Sequence, residues 1–231
     1  MERHLAWEGT FNVRDLGGLG RVRRGALVRG DSSGGLSAAG WAALEAHGVR
    51  TVVDLRNDDE CSADLARPAS VGYVRLPLDG MDDRGFWDVW QNGPQFGTPL
   101  YYQPHLEHFP ERSAAVLRAI ANAPPGGVFF HCARGRDRTG QIAMLVLAVL
   151  GVSADEIAAD YVESYARVTT MQSARGEPDE GKALRAHMTT QGTDAPTVLR
   201  RILATLDVEA TLKRGGATDA DFTTLRTRAL G

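Results

Sequence analysis

Cysteine is nearly missing from this chain of 231 residues, which holds only Cys61 and Cys132. Two thiols build no disulfide framework, and such scarcity fits a reducing, cytoplasmic setting. Lysine is as rare, at Lys182 and Lys213, so arginine makes up nearly all of the 26 basic residues. The 29 acidic residues outnumber them and leave a formal charge of −3. No global positive field therefore draws the chain to nucleic acid or an anionic membrane. Long apolar runs are lacking too. The longest, Ile142 to Leu150, falls far short of the roughly 20 residues that a membrane span needs. The opening MERHLAWEG has no apolar core of the kind a signal peptide carries. No repeat or low-complexity tract stands out. What is present is a 43% hydrophobic composition, ample for a core, in a length that suits one domain at about 150 residues each.

Helix and strand signals alternate, which predicts an α/β class with a central sheet flanked by helices. Short strands are expected near Val22 and over Leu27–Val28, among Gly- and Arg-rich loops. Ser37 can cap a helix carrying Trp41 and Leu44 on one face, with Gly48 placed to end it. Val49 to Leu55 and Tyr73 to Leu78 read as strands. The stretch 80–109 breaks this rhythm with seven rings (Phe86, Trp87, Trp90, Phe96, Tyr101, Tyr102 and Phe109) among Gly, Pro and charges. It reads either as an irregular excursion packed on the domain or as a lid that offers rings to a substrate. A helix from about Glu111 to Ala123, a strand Val128–His131 and a buried helix Gln141–Leu150 follow. Ser153 and Glu156 form a capping box that opens a helix to about Val168. Residues 170–231 read as a helical tail, with starts near Asp179, Pro196 and Thr218.

Chemistry concentrates between the strand and the buried helix, in HCARGRDRTG (His131 to Gly140). A strand delivers the chain to a helix N-terminus, where unpaired N–H groups and the positive dipole end converge. A short loop with a central Gly135 can curl so that its N–H groups aim at one spot, a seat for a tetrahedral oxyanion. Arg138 can add a two-pronged grip on that anion. The same dipoles favour the thiolate of Cys132, at the base of the cradle, as an in-line nucleophile toward a bound phosphate.

The pattern HC-x5-R-T resembles the phosphate-binding loop of cysteine-dependent phosphatases. More narrowly, the loop is similar to HCxxGKDRTG of the bacterial tyrosine-phosphatase-like family, within the protein tyrosine phosphatase superfamily. Asn12-Val-Arg14-Asp15-Leu-Gly-Gly, VVDLRNDDE, LPLD and AADYVES resemble further segments of that family, so the likeness spans most of residues 10–168. It implies a single phosphatase domain over 1–231, with 80–109 as a lid or specificity excursion. It also implies Cys132 as nucleophile, Arg138 as phosphate clamp, and Thr139 hydrogen-bonding the sulfur to ease its departure. His131 would orient the loop, and the amides from Ala133 through Arg134, Gly135, Arg136 and Asp137 to Arg138 would hold the phosphate oxygens. The leaving oxygen needs a proton, for which Asp79 is the first candidate and Asp137 the alternative.

The likeness departs at one place: Arg136 stands where the family has the lysine tied to highly charged substrates such as phosphoinositides. Arg134 and Arg136 are expected to flank the mouth. Arg14, Asp15, Asp54, Arg56 and Glu60 read as one buried ion-pair set supporting the loop. His105 and His108 have the spacing of half a metal site, but no further ligands complete it, so no metal or other cofactor is expected. The expected substrate is a phosphorylated protein, chiefly at tyrosine, with dual specificity as the wider form of that reading. The site should also take phosphate- or vanadate-like oxyanions. A small phosphate ester of a nucleotide, sugar or inositol is the alternative substrate. A non-catalytic phosphate-binding module is the third reading.

Overall fold

Five strands form one sheet: β1 (Arg14–Asp15), β2 (Leu27–Gly30), β3 (Val49–Asp54), β4 (Gly72–Arg75) and β5 (Gly127–His131). Their order is β1-β2-β5-β3-β4, with β1 antiparallel to β2 and every other neighbour parallel. The computed structural model from which this comes describes residues 2–61, 67–93 and 95–231. β5 lies in the middle and is buried throughout, as its sequence GVFFH requires of a parallel strand covered on both faces. Alternation divides its side chains: Val128 and Phe130 belong to one apolar cluster and Phe129 to the other.

The smaller cluster joins Phe129, Val28 and Val52 to Trp41 and Leu44 of α1 (Ala38–Ala46) and to Trp7. The larger holds α4 (Pro110–Ala121), the first four residues of which include Glu111 where the dipole favours an acid, and α5 (Asp137–Val149). α6 (Ala154–Arg175) packs beside α5, followed by α7 (Glu180–Thr190), α8 (Ala195–Thr205), α9 (Val208–Arg214) and α10 (Asp219–Leu230). No helix among the described residues is long and apolar enough to cross a membrane.

Several boundaries differ from expectation, each for a local reason. Val22 lies in a turn, its side chain in the larger cluster, and forms no strand. β4 stops at Arg75 because Pro77 has no N–H to continue the ladder. Even so, Leu76 and Leu78 still donate to the carbonyls of Asp54 and Leu55 at 2.8 and 3.2 Å. α5 begins at Asp137, four residues before the apolar run, since a helix's first turn tolerates polar residues and favours an acid. α6 continues past Val168 to Arg175, where Gly176 ends it at φ +68°. The excursion 80–109 is not irregular throughout: it holds α2 (Arg84–Trp90), capped by Asp83, and α3 (Tyr102–His108). α9, capped by Asp207, was not foreseen in the tail.

Candidate active site

β5 ends at His131, and Cys132 follows as a buried residue at the start of the five-residue turn into α5. The turn closes tightly over β2. A Cβ on Gly135, which has φ +69°, would lie 2.4 Å from the carbonyl carbon of Gly30, so only glycine fits there. The carbonyls from Cys132 to Gly135 have partners outside the turn. His131 Nδ1 bonds the Cys132 oxygen at 3.1 Å, and the Ser32 amide donates to Ala133 at 3.2 Å. Asn12 Nδ2 donates to Arg134 at 3.0 Å, and Arg29 Nη2 to Gly135 at 2.8 Å. Because a trans peptide points its N–H opposite its carbonyl, outward carbonyls from 132 to 135 turn the amides of 133 to 136 inward. Successive inward amides at a helix N-terminus form an anion nest.

His131 is neutral. Burial pushes its pKa down to about 4, against the pull of Asp54, whose Oδ1 lies 3.7 Å away. Its Nδ1–H serves the Cys132 carbonyl, leaving Nε2 to accept from Ser33 Oγ at 2.9 Å. The ring thus ties the end of β5 to the segment after β2.

Arg138, in the first turn of α5, is held by both carboxylate oxygens of Glu60, with Nη2 to Oε1 at 2.6 Å. Its Nη1 also lies 3.2 Å from Asp79 Oδ2. Burial lowers its pKa, but Glu60 and Asp79 outweigh this and leave it above the ordinary arginine value. Asp79 is buried beside it, and Asn57 Nδ2 donates to its Oδ2 at 3.0 Å. Burial raises the Asp79 carboxyl above the usual range, opposed by Arg138 and Asn57 and reinforced by Glu60 and Asp137. A carboxyl inclined to keep its proton beside an anion nest is the chemistry a general acid needs.

Asp137 faces differently, accepting from Arg136 Nε and Nη2 at 3.2 and 3.3 Å. Thr139 is fully buried, and its hydroxyl points to the Gly30 carbonyl at 3.4 Å. Arg136 is not a solvated residue of the rim. It is buried, stacked 5.8 Å from the Tyr165 ring, with Nη1 unpartnered among the described residues. Arg134 is partly exposed and pairs with Glu180 at 2.9 Å and Glu177 at 3.5 Å. Both loop cations beside Arg138 thus already face carboxylates.

The single ion-pair set expected from sequence divides into separate ones. Asp15 lies toward the opposite end of β2, accepting from the Gly17 and Gly25 amides and from His47, so it has no part in the loop. Arg56 binds Asp54 through Nη2 at 2.6 Å and reaches the loop only by way of Asp54 and His131. Glu60 pairs with Arg138 itself. Arg14 bonds Asn12 Oδ1 at 2.7 Å, orienting the amide that serves Arg134, and pairs with Asp160 at 2.8 Å. Asp160 receives Arg3, Arg14 and Arg29 together, and these three cations overcome burial to hold it far below the usual carboxylate range. Arg29 and Asp160 were missed as site residues. The available signal was an acid within AADYVES, set among the apolar residues Ile157, Ala158 and Tyr161.

His105 and His108 do not point to a common ligand. His105 serves Leu78 and Gln141, and His108 lies 2.7 Å from Asp83. Among the described residues no three of His, Cys, Asp and Glu gather as a metal site.

Residues 5–231 match the pattern of the tyrosine phosphatase family. The chain belongs to that family. A Cupriavidus necator protein that carries the name of a tyrosine-protein phosphatase is 35% identical over 178 residues, 71% of this chain and 64% of the relative. A tyrosine-protein phosphatase of Nostoc commune is 36% identical over 142 residues, 60% of this chain and 48% of the relative. The triple specificity protein phosphatase of Mycobacterium tuberculosis is 27% identical over 201 residues, 73% of this chain and 72% of the relative. The chain therefore spans less than two thirds of the first two relatives' length.

Proposed function

We propose that this family member is a phosphoric monoester hydrolase that works through a phosphocysteine, with phosphotyrosine as the chief substrate group. The observation that carries this reading is the convergence of Cys132, the inward amides of 133–136, the Glu60-held Arg138 and the buried Asp79 carboxyl at one strand–helix junction. The amides and Arg138 hold the three non-bridging phosphate oxygens. The Cys132 sulfur attacks phosphorus in line, the bond to the ester oxygen breaks, and Asp79 gives that oxygen its proton. Water then attacks the phosphocysteine, returns a proton to Asp79 and frees phosphate and the sulfur. Asp79 suits the acid role better than Asp137 because it is buried and protonation is favoured by burial, whereas Asp137 is engaged by Arg136.

The names of the relatives support a phosphotyrosine substrate. The prior pairing of Arg134 and Arg136 with carboxylates supports a singly phosphorylated ester over a polyanionic one. Replacing Cys132 tests the reading. Cys132→Ser should abolish hydrolysis of phosphotyrosine peptides yet keep phosphate or vanadate binding, because the amide nest and Arg138 remain. Turnover comparable to wild type in that variant would contradict it.

A further inference from the structure

β4 ends at Arg75, and in the segment beyond it that carries Asp79 the four consecutive carbonyls from Pro77 to Gly80 are each taken by a side chain. Arg112 Nη1 donates to Pro77 at 3.1 Å. His105 Nε2 donates to Leu78 at 3.1 Å, its proton placed there because Gln141 Nε2 donates to Nδ1 at 3.0 Å. Trp87 Nε1 divides its single N–H between Asp79 and Gly80, 3.0 Å from each. These donors come from α2, α3 and α4, so the rings of the excursion face inward. Trp87, Tyr101 and Tyr102 are all but inaccessible to solvent, and Trp87 packs on Phe86, Phe96, Tyr101 and His105. Gly80, at φ +69°, lies directly against Arg112: a Cβ there would be 2.7 Å from Nε. On the opposite side the Leu78 amide is fixed to Leu55.

We propose that segment 80–109, together with Arg112 of α4, is the buttress of the general acid, with Trp87, His105 and Arg112 acting as positioning residues that fix the Asp79 main chain from 77 to 80. This rests on the reading of Asp79 as the acid. A backbone anchored at four successive carbonyls and one amide has no hinge, so the acid is preset and not carried in by a closing loop. Gln141 belongs to α5, whose first turn carries Arg138. The Gln141–His105–Leu78 relay therefore sets the acid in register with the phosphate clamp.

The charged groups facing the Asp79 carboxyl are Arg138 and Asp137 from α5 and Glu60 from the segment after β3. The excursion contributes the uncharged indole of Trp87 and a neutral His105, which burial lowers to about 4. Arg112 spends Nη1 on Pro77 and places Nη2 3.3 Å from Asp82. Loss of a buttress donor should consequently act through the placement of Asp79 and not by adding or removing charge beside it.

The test compares kcat/KM, which reports the steps up to formation of the phosphocysteine, for phenyl phosphate and nitrophenyl phosphate between about pH 5 and pH 8, where a poor leaving group needs the acid and a good one does not. Asp79→Asn should slow phenyl phosphate by about 10²–10⁴-fold, spare nitrophenyl phosphate, and flatten the basic limb of the profile. Trp87→Phe keeps a ring but removes the N–H. It should slow phenyl phosphate by about ten-fold or more while leaving nitrophenyl phosphate, KM and vanadate inhibition near wild type. Arg112 is partly exposed, so its variants do not depend on refilling the core. Arg112→Met should show the same leaving-group dependence, and Arg112→Lys should restore it toward wild type. If Asp79→Asn shows the dependence but Trp87→Phe and Arg112→Met slow both esters alike or neither, the buttress is wrong and the acid stands. If Asp79→Asn itself shows no dependence, the acid assignment is wrong and the buttress falls with it.

Discussion

His105 and His131 are buried imidazoles whose ring nitrogens are all committed, and burial brings both pKa values down from 6.5 to about 4. In the unfolded chain each would protonate near the ordinary value, so on acidification the unfolded state takes up protons first. Their contribution is intact above about pH 6.5 and is lost as pH falls toward about 4. Each histidine should thus cost the fold about 2 kcal/mol between about pH 7 and pH 5. The raised carboxyls of Asp31 and Asp79 act in the opposite sense, so the comparison must isolate one ring. Urea unfolding of His105→Gln beside wild type does so: the wild type should lose about 2 kcal/mol more than the variant over that interval. Parallel pH dependences would show that His105 is not held neutral. At this scale the tight turn was legible, because Gly135 stands in a short polar stretch between an apolar strand and an apolar helix. The partner of an acid such as Asp15 was not, because it depends on which end of β2 the residue reaches.

Two elements meet at Asp160. It lies on α6 yet fixes Arg29 of β2, and through Arg29 the Gly135 carbonyl of the turn before α5. Burial, and then the nearness of Arg14, bring the Arg29 pKa down to about 10 in spite of the carboxylate. Replacing that carboxylate leaves buried cations uncompensated, at a cost of about 3–5 kcal/mol. Asp160→Asn should therefore lose stability of that order in urea and weaken vanadate binding as the turn loosens. The half-exposed Glu163, which pairs with Arg3 on the outer side, supplies the contrast. Glu163→Gln should cost about 1 kcal/mol or less. A loss below about 1 kcal/mol for Asp160→Asn would remove α6 from the support of the turn. Sequence periodicity identifies α6 as a helix but cannot show which strand its one buried acid meets, so this contact was beyond its reach. The interior of 80–109 was obscured for a related reason. Glycine, proline and charge interrupt the helical period, while α2 and α3 are set by the cap at Asp83 and by packing of their rings.

Across the molecule, the α/β class and the β5–turn–α5 junction could be read directly, since both follow from short-range pattern: an apolar strand, a glycine turn and an apolar helix. Strand order could not, because the placement of β5 between β2 and β3 rests on pairings between residues about 80 to 100 positions apart, such as Val28 with Phe129. The tail is similar: three of its helix starts carry capping signals in sequence, but its packing against α4 through α9 and α10 is a product of the whole fold. That fold brings the Cys132 sulfur, the amide nest, Arg138 and Asp79 to one place, and the central claim is that the phosphoryl group passes through the sulfur. Rapid acid quench during turnover of a radiolabelled phosphotyrosine peptide, followed by peptide mapping, tests it most directly. The label should appear transiently on the peptide containing Cys132 in wild type and accumulate there in Asp79→Asn, if the same carboxylate activates the second-step water. Full turnover with no label on that peptide at any time would show that water attacks the ester directly and would contradict the account.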